Sequence, residues 1–211
     1  MLRDIPLFSC LDEDALRDLE AAAVSRRFAK NTVVISKGDP SDSVYVVRKG
    51  QVKAVIHDEA GKEIVLSVIG AGECFGEMSA LDGVPRSATI VTTEAADILI
   101  LGRKEFKRIL ESNRNMVFSL LNVLLRRLRR ADEKIESLAF WNVHARIGNL
   151  LMELARPAGS EWVIREKMTH QEIADMVGSS RESVSRILKE IADAGYISID
   201  RKRITIHRRL V

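Results

Sequence analysis

Residues 76–88 read Gly-Glu-Met-Ser-Ala-Leu-Asp-Gly-Val-Pro-Arg-Ser-Ala. The stretch offers an anion a cation, Arg86, a hydroxyl, Ser87, and several backbone N–H groups free of bulky side chains. An Arg–phosphate bond is charge-assisted and contributes about 1.5–3 kcal/mol. Residues 76–81 can open a short helix whose N–H groups face the same anion. Glu77 cannot bind phosphate, because like charges repel. Its natural partner is a ribose hydroxyl, or Arg86 when no ligand is bound. Gly76, Glu77, Met78, Arg86 and Ser87 are therefore the candidate residues for a phosphorylated ribose. The plain alternative is a surface Arg–Glu pair on a β-turn. The surrounding sequence favours the pocket.

That surrounding sequence is a series of short Val- and Ile-rich runs at 32–36, 44–48, 51–56, 64–69, 87–92 and 96–101. Turn formers separate them: Lys37-Gly38-Asp39-Pro40, Lys49-Gly50, Glu59-Ala60-Gly61 and Gly70-Ala71-Gly72. Many short strands at regular spacing predict an antiparallel β-roll or barrel, which can hold a small ligand inside. Ahead of it, residues 12–24 read as a helix capped by Asp12, with Leu11, Leu16 and Leu19 on its apolar face.

Beyond residue 103 the period changes. Val117, Leu121, Leu124, Leu128, Ala131, Ile135 and Leu138 are spaced alternately four and three apart. This a/d seam lasts three heptads and predicts a parallel homodimer through one long helix. Arg126, Arg127, Arg129 and Arg130 place charge beside it. Phe140-Trp141-Asn142-Val143 marks a boundary, with Asn142 capping a helix over 143–155. The expected organisation is α+β: a β-roll over 1–113, a dimerisation helix over 114–140, and a third domain over 141–211.

That third domain has a distinct pattern. In residues 169–189, Thr169 and Glu172 make a capping box, Gly178 supplies a turn and Ser180 caps a second helix. On the second helix Arg181, Glu182, Ser185 and Arg186 share one face, while Val184, Ile187, Leu188 and Ile191 share the other. A buried face opposite a face of donors and acceptors is what a major-groove helix needs. Arginine donates twice to guanine O6 and N7, and a carboxylate accepts from cytosine N4. Residues 195–206 alternate apolar and polar residues around Arg201-Lys202-Arg203, as a β-wing touching phosphate would. Candidate DNA contacts are Thr169, Ser180, Arg181, Glu182, Ser185, Arg186, Arg201 and Lys202. The bland reading is an amphipathic helical hairpin with a polar outer face; the wing argues against it.

Bulk composition agrees. The chain has 211 residues and a net charge of +3. Residues 1–141 hold 21 basic and 21 acidic side chains, so the excess (12 against 9) lies entirely in 142–211, toward a polyanion partner. The longest apolar runs are too short to span a bilayer. Cys10 and Cys74 give neither a disulfide framework nor metal spacing, and no leader is expected, so a reducing cytoplasm is the expected compartment. The four histidines lie far apart in sequence, none with a second metal ligand nearby. Cys74 reads as a buried side chain, with a redox or haem-linked role as the alternative.

The chain resembles the catabolite-activator and FNR (CRP/FNR) family of bacterial transcription regulators from residue 6 to about 208. The resemblance rests on Asp58-Glu59-Ala60-Gly61-Lys62-Glu63-Ile64-Val65-Leu66-Ser67, Phe75-Gly76-Glu77, Pro85-Arg86-Ser87-Ala88, Leu138-Ala139-Phe140 and Val177-Gly178-Ser179-Ser180-Arg181-Glu182-Ser183-Val184-Ser185-Arg186. It implies a cyclic-nucleotide-binding β-roll, a dimer helix and a C-terminal winged helix-turn-helix. It implies a cyclic nucleotide, cyclic AMP or cyclic GMP, as effector, with Gly76, Glu77, Arg86 and Ser87 on its ribose and phosphate. It further implies a palindromic operator with TGTGA-like half-sites and RNA polymerase as a further partner. No metal and no catalysis are expected. Ser185 beside Arg186 is closer to the FNR branch, although the N-terminal cysteine cluster of that branch is missing.

One departure concerns the effector. Cyclic-AMP-responsive members carry Thr-Ser on the dimer helix where adenine meets both subunits; the matching residues here are Ala131 and Asp132. The Asp132 carboxylate either accepts from a guanine edge or points to solvent. Arg127 is a further candidate for the inner wall of the pocket. Two other functions compete: the same fold sensing redox state, haem or a partner, or binding DNA constitutively; and an enzyme acting on nucleotides, for which no nucleophile–base pair is present.

Overall fold

The computed structural model describes residues 3, 5–40, 42–159, 161–165, 168–200 and 203–210. The chain forms two compact units: residues 1–56 with 65–130, and residues 57–64 with 131–211.

The first unit begins with helix α1 (Glu13–Ala22), then strands β1 (Val24–Phe28), β2 (Val33–Ile35), β3 (Ser43–Lys49), β4 (Val52–His57), β5 (Glu63–Ile69) and β6 (Cys74–Phe75). Helix α2 (Glu77–Asp82), strands β7 (Thr89–Thr92) and β8 (Ala96–Gly102), and helices α3 (Arg103–Ser112) and α4 (Arg114–Phe140) follow. The strands pair antiparallel in two four-stranded sheets, ordered β1-β8-β3-β6 and β2-β7-β4-β5, which is the expected β-roll.

Strand β3 explains the layering. Val44 and Val46 point one way and Tyr45 and Val47 the other, and all four are buried. A strand covered on both faces needs no polar alternation. Tyr45 and Val47 join Phe28, Val52, Ile69, Phe75, Ile90 and Ile98 between the sheets, where the Tyr45 and Phe75 rings stack at 5.0 Å. Val44 and Val46 join Leu19, Ala80, Leu99, Leu101, Phe106, Ile109, Met116 and Leu120 under the helices.

Asp12 caps α1, accepting the Ala15 N–H at 2.8 Å. The helix stops at Ala22, however, and residue 24, read from sequence as helical, opens β1. Only Phe28 of β1 is buried, because β1 is an edge strand with Arg26 and Arg27 outward. Ser87 likewise lies ahead of its strand, which starts at Thr89.

In the second unit the C-terminal part of α4 is followed by α5 (Val143–Leu154), β9 (Arg156–Ala158), β10 (Glu161–Ile164), α6 (His170–Val177), α7 (Arg181–Asp193), β11 (Ile197–Asp200) and β12 (Arg203–Ile206). Asn142 caps α5 through the Ala145 N–H at 2.9 Å. The capping box at Thr169 and Glu172 is complete. Ile147, Leu151, Ile173, Ala174, Val184, Ile187, Leu188, Ile197, Ile204 and Ile206 form one core. The β11–β12 hairpin is the expected wing, and β10 and β9 extend it to four strands in the order β11-β12-β10-β9. Arg201 and Lys202, the candidate wing-tip contacts, lie outside the described residues.

The end of α4 grips the turn between α6 and α7. Lys134 Nζ donates to the carbonyl of Met176, in the last turn of α6, and a Cβ on Gly178 would lie 3.0 Å from Leu138 Cδ2. Burial, followed by the nearby Arg146 guanidinium, holds the Lys134 ammonium below its ordinary value, while Glu153 opposes that shift. Gly178 has φ +68°, a left-handed C-cap. Gly178→Ala is therefore expected to destabilise the second unit by about 1–2 kcal/mol, read as a lower urea midpoint by circular dichroism. An unchanged midpoint would mean that the turn tolerates a side chain.

Candidate functional site

In the first unit, Gly76, Glu77, Arg86 and Arg127 come together. Arg86 is buried and donates from Nη1 to Gly76 O and from Nη2 to Ser43 O, both at 2.6 Å. Its guanidinium carbon sits 5.6 Å from the centre of the Tyr45 ring, a cation–π contact. Burial lowers its pKa from the ordinary arginine value, and the nearby Tyr45, Glu77, Asp42 and Asp39 counter that shift. Gly76 has φ +77°, and a Cβ there would stand 2.5 Å from Arg86 Nη1 and 3.1 Å from Ser43 O. Only glycine lets the backbone approach the guanidinium this closely.

Glu77 is 1% exposed. The partner expected without ligand is Arg86; the carboxylate pairs instead with Arg127 of α4, whose Nη1 donates to Oε1 at 2.6 Å. Arg127 Nη2 also donates to the carbonyl of Cys74, so the second donor fixes the guanidinium over the carboxylate. Arg86 directs Nη1 and Nη2 to main-chain carbonyls, and the carboxylate is taken by Arg127. Among the described residues, three side-chain atoms are buried without a hydrogen-bond partner: Glu77 Oε2 and Arg86 Nε in this cradle, and Arg146 Nε in the second unit. Such groups cost about 1–3 kcal/mol each unless something satisfies them.

The other candidates are more open. Met78 and Ser87 are exposed beside the cradle. Ala131 and Asp132 are exposed on α4, four and five residues beyond Arg127. Cys74 is buried; desolvation first, and then the Glu77 carboxylate, push its thiol up to about 12. The thiolate, the reactive form, is therefore disfavoured at neutral pH. Alkylation by iodoacetamide, followed by mass spectrometry, is expected to label the half-buried Cys10 and spare Cys74 until the chain unfolds. Equal labelling of both in the folded protein would contradict this.

In the second unit, α7 presents Arg181, Glu182 and Arg186 outward and buries Val184, Ile187 and Leu188. Ser180 accepts the Ser183 N–H at 3.1 Å as the N-cap. Three candidates are less free than the sequence implied. Thr169 is tied up in its capping box, its hydroxyl 2.9 Å from Glu172 Oε2. Ser185 Oγ lies 2.7 Å from His170 Nδ1, so its hydroxyl is engaged within the protein. Arg186 Nη1 donates to Glu190 Oε1 at 3.0 Å, and Glu190 Oε2 lies 3.0 Å from His144 Nε2. His144, His170 and Glu190 were missed; the four-residue step from Arg186 to Glu190 was the available signal. No group of three His, Cys, Asp or Glu among the described residues is placed to hold a metal ion, and no described helix is long and apolar enough to cross a membrane.

Residues 25–113 match the cyclic nucleotide-binding domain family, and residues 145–210 match the Crp-like helix-turn-helix domain family. The chain is 33% identical over 189 residues to the cAMP-activated global transcriptional regulator CRP of Salmonella typhimurium, across 86% of this chain and 88% of that protein. A transcriptional regulator of the CRP/FNR family from Thermus thermophilus aligns at 27% identity with a TM-score of 0.72, over 87% of this chain and 93% of its own. The c-di-GMP responsive global regulator CLP of Xanthomonas campestris shares the fold at a TM-score of 0.83 and 24% identity, over 93% of this chain and 100% of its own. A β-roll with a polar cradle, a helix whose apolar seam lies exposed and a winged helix-turn-helix thus coincide with matches along most of the sequence, and the chain belongs to the CRP/FNR family of DNA-binding transcription regulators.

Proposed function

We propose that the chain is an effector-gated homodimeric regulator whose β-roll holds a cyclic nucleotide, cyclic AMP or cyclic GMP, and whose paired α7 helices read a palindromic operator with TGTGA-like half-sites. The observation that carries the effector reading is the pair of buried, unpartnered atoms: Arg86 Nε is a donor suited to a phosphate oxygen, and Glu77 Oε2 is an acceptor suited to a ribose hydroxyl. Gly76 gives the backbone close access, Ser87 offers a hydroxyl at the rim, and Met78 flanks it. Arg127 links Glu77 to α4, so a ligand that competes for that carboxylate changes what holds α4 to the roll. Ala131 and Asp132 lie farther along the same helix, where a base edge would be met.

From there α4 continues unbroken to Lys134 and Leu138, which hold the turn ahead of α7. The seam residues Leu121, Leu128, Ile135 and Leu138 are exposed on a single chain and are the surface a second copy covers. Leu124 departs from the seam pattern, being half-buried against the core of the first unit. On a dimer the two α7 helices enter successive major grooves, about 34 Å apart. Arg181, Glu182 and Arg186 read base edges; Thr169 and Ser180 lie at helix N-termini that face phosphate, and the wing residues Arg201 and Lys202 supply charge. RNA polymerase is the expected further partner of the DNA-bound dimer.

Fluorescence anisotropy with a duplex carrying two inverted TGTGA half-sites tests the reading. Cyclic AMP or cyclic GMP is expected to change operator affinity by about 5–150-fold, equivalent to about 1–3 kcal/mol of coupling. Operator affinity indifferent to both nucleotides would refute effector gating.

A further inference from the structure

Arg186 and Glu190 are one helical turn apart on α7, and the bond between them uses a single guanidinium nitrogen, Nη1. The Glu190 carboxylate is held from its other side by His144, at the start of α5. Its pKa lies below the ordinary glutamate value, first through the hydrogen bond with His144 and then through the bond from Arg186, so the group is a carboxylate at neutral pH. Glu182, four residues before Arg186, makes no ion pair with it among the described residues.

An exposed pair of this kind adds little to stability. Its consequence lies in what it does to the guanidinium. Arginine carries five N–H donors in a planar fork. With Nη1 turned to Glu190, the edge formed by Nε and Nη2 stays open, and that edge matches guanine N7 and O6. An unbraced arginine on a flexible stem also reaches phosphate oxygens, which carry no sequence information. A carboxylate beside the guanidinium disfavours that excursion, because it repels the same phosphates.

We propose that Glu190, itself fixed by His144, is a positioning residue that sets base specificity by holding Arg186 edge-on to the groove and keeping it from the phosphate backbone. The proposal rests on reading α7 as the DNA-reading helix with Arg186 as a base contact.

Selection of the full chain on a random duplex pool, with and without cyclic AMP, tests both levels when followed by sequencing. Arg186→Ala is expected to flatten the preference at one guanine position in each half-site. Glu190→Gln is expected to weaken preference at that same position by about three- to tenfold and leave the other positions sharp, with tighter binding to unrelated duplex. His144→Asn is expected to act in the same direction with a smaller effect. A general loss of folding would blur every position, whereas loss of the brace blurs one. If Arg186→Ala flattens a position and neither Glu190→Gln nor His144→Asn changes it, the brace is refuted. If Arg186→Ala flattens none, the reading of α7 beneath the proposal fails instead.

Discussion

Arg86→Leu is expected to abolish the response of operator binding to effector while leaving basal DNA affinity unchanged. The guanidinium it removes is 4% exposed, bonded to Gly76 O and Ser43 O, and has Nε to spare. Losing a charge-assisted bond to phosphate is worth about 1.5–3 kcal/mol, which weakens effector binding by about 10–150-fold. The substitution also strips two carbonyls of their donor, so a lower melting temperature is expected alongside. Gly76→Ala disturbs the same cradle by another route. It keeps the arginine but drives a methyl group to 2.5 Å from Nη1 at φ +77°, so the fork must shift. Both variants are expected to bind operator equally with and without effector, measured by anisotropy. A normal response from Arg86→Leu would mean that the cradle is not the effector site.

Leu128→Glu combined with Ile135→Glu is expected to convert the protein to a monomer and lower operator affinity by about a hundred- to ten-thousandfold, because two half-sites are no longer bound by one linked molecule. Leu128 is 58% exposed and Ile135 64% exposed on the single chain, one heptad apart on α4. Fully burying a leucine or isoleucine contributes about 1.5–3 kcal/mol, and a symmetric interface buries each twice. Glutamates at these positions would lose that burial and face their own copies across the axis, where like charges repel. Analytical ultracentrifugation reads the mass and anisotropy reads the affinity. A double variant that stays dimeric and binds as before would place the interface elsewhere.

The β-roll was legible because β3, β4 and β8 are continuous Val- and Ile-rich runs bounded by turn residues. β1 was not. A polar edge strand with one buried residue looks like the end of a helix. β9 and β10 are three and four residues long, too short to show any period. In the cradle, Arg86 and Glu77 were readable because they sit close in sequence within one motif. The pairing of Glu77 with Arg127 was not, because it joins α2 to α4 across fifty residues and only packing brings them together. The outward face of α7 followed from its wheel. The engagement of Ser185 by His170 did not, because it depends on how α6 crosses α7.

The proposed effector site centres on a buried guanidinium and a buried carboxylate in the first unit. Calorimetric titration of the wild-type protein with cyclic AMP, cyclic GMP and cyclic di-GMP tests this most directly, with Arg86→Leu titrated alongside. One saturable site per chain is expected for a cyclic mononucleotide, tightened by operator DNA by the same factor with which that nucleotide tightens operator binding, and lost in Arg86→Leu. Absence of binding with all three nucleotides, or binding that survives Arg86→Leu unchanged, would contradict it.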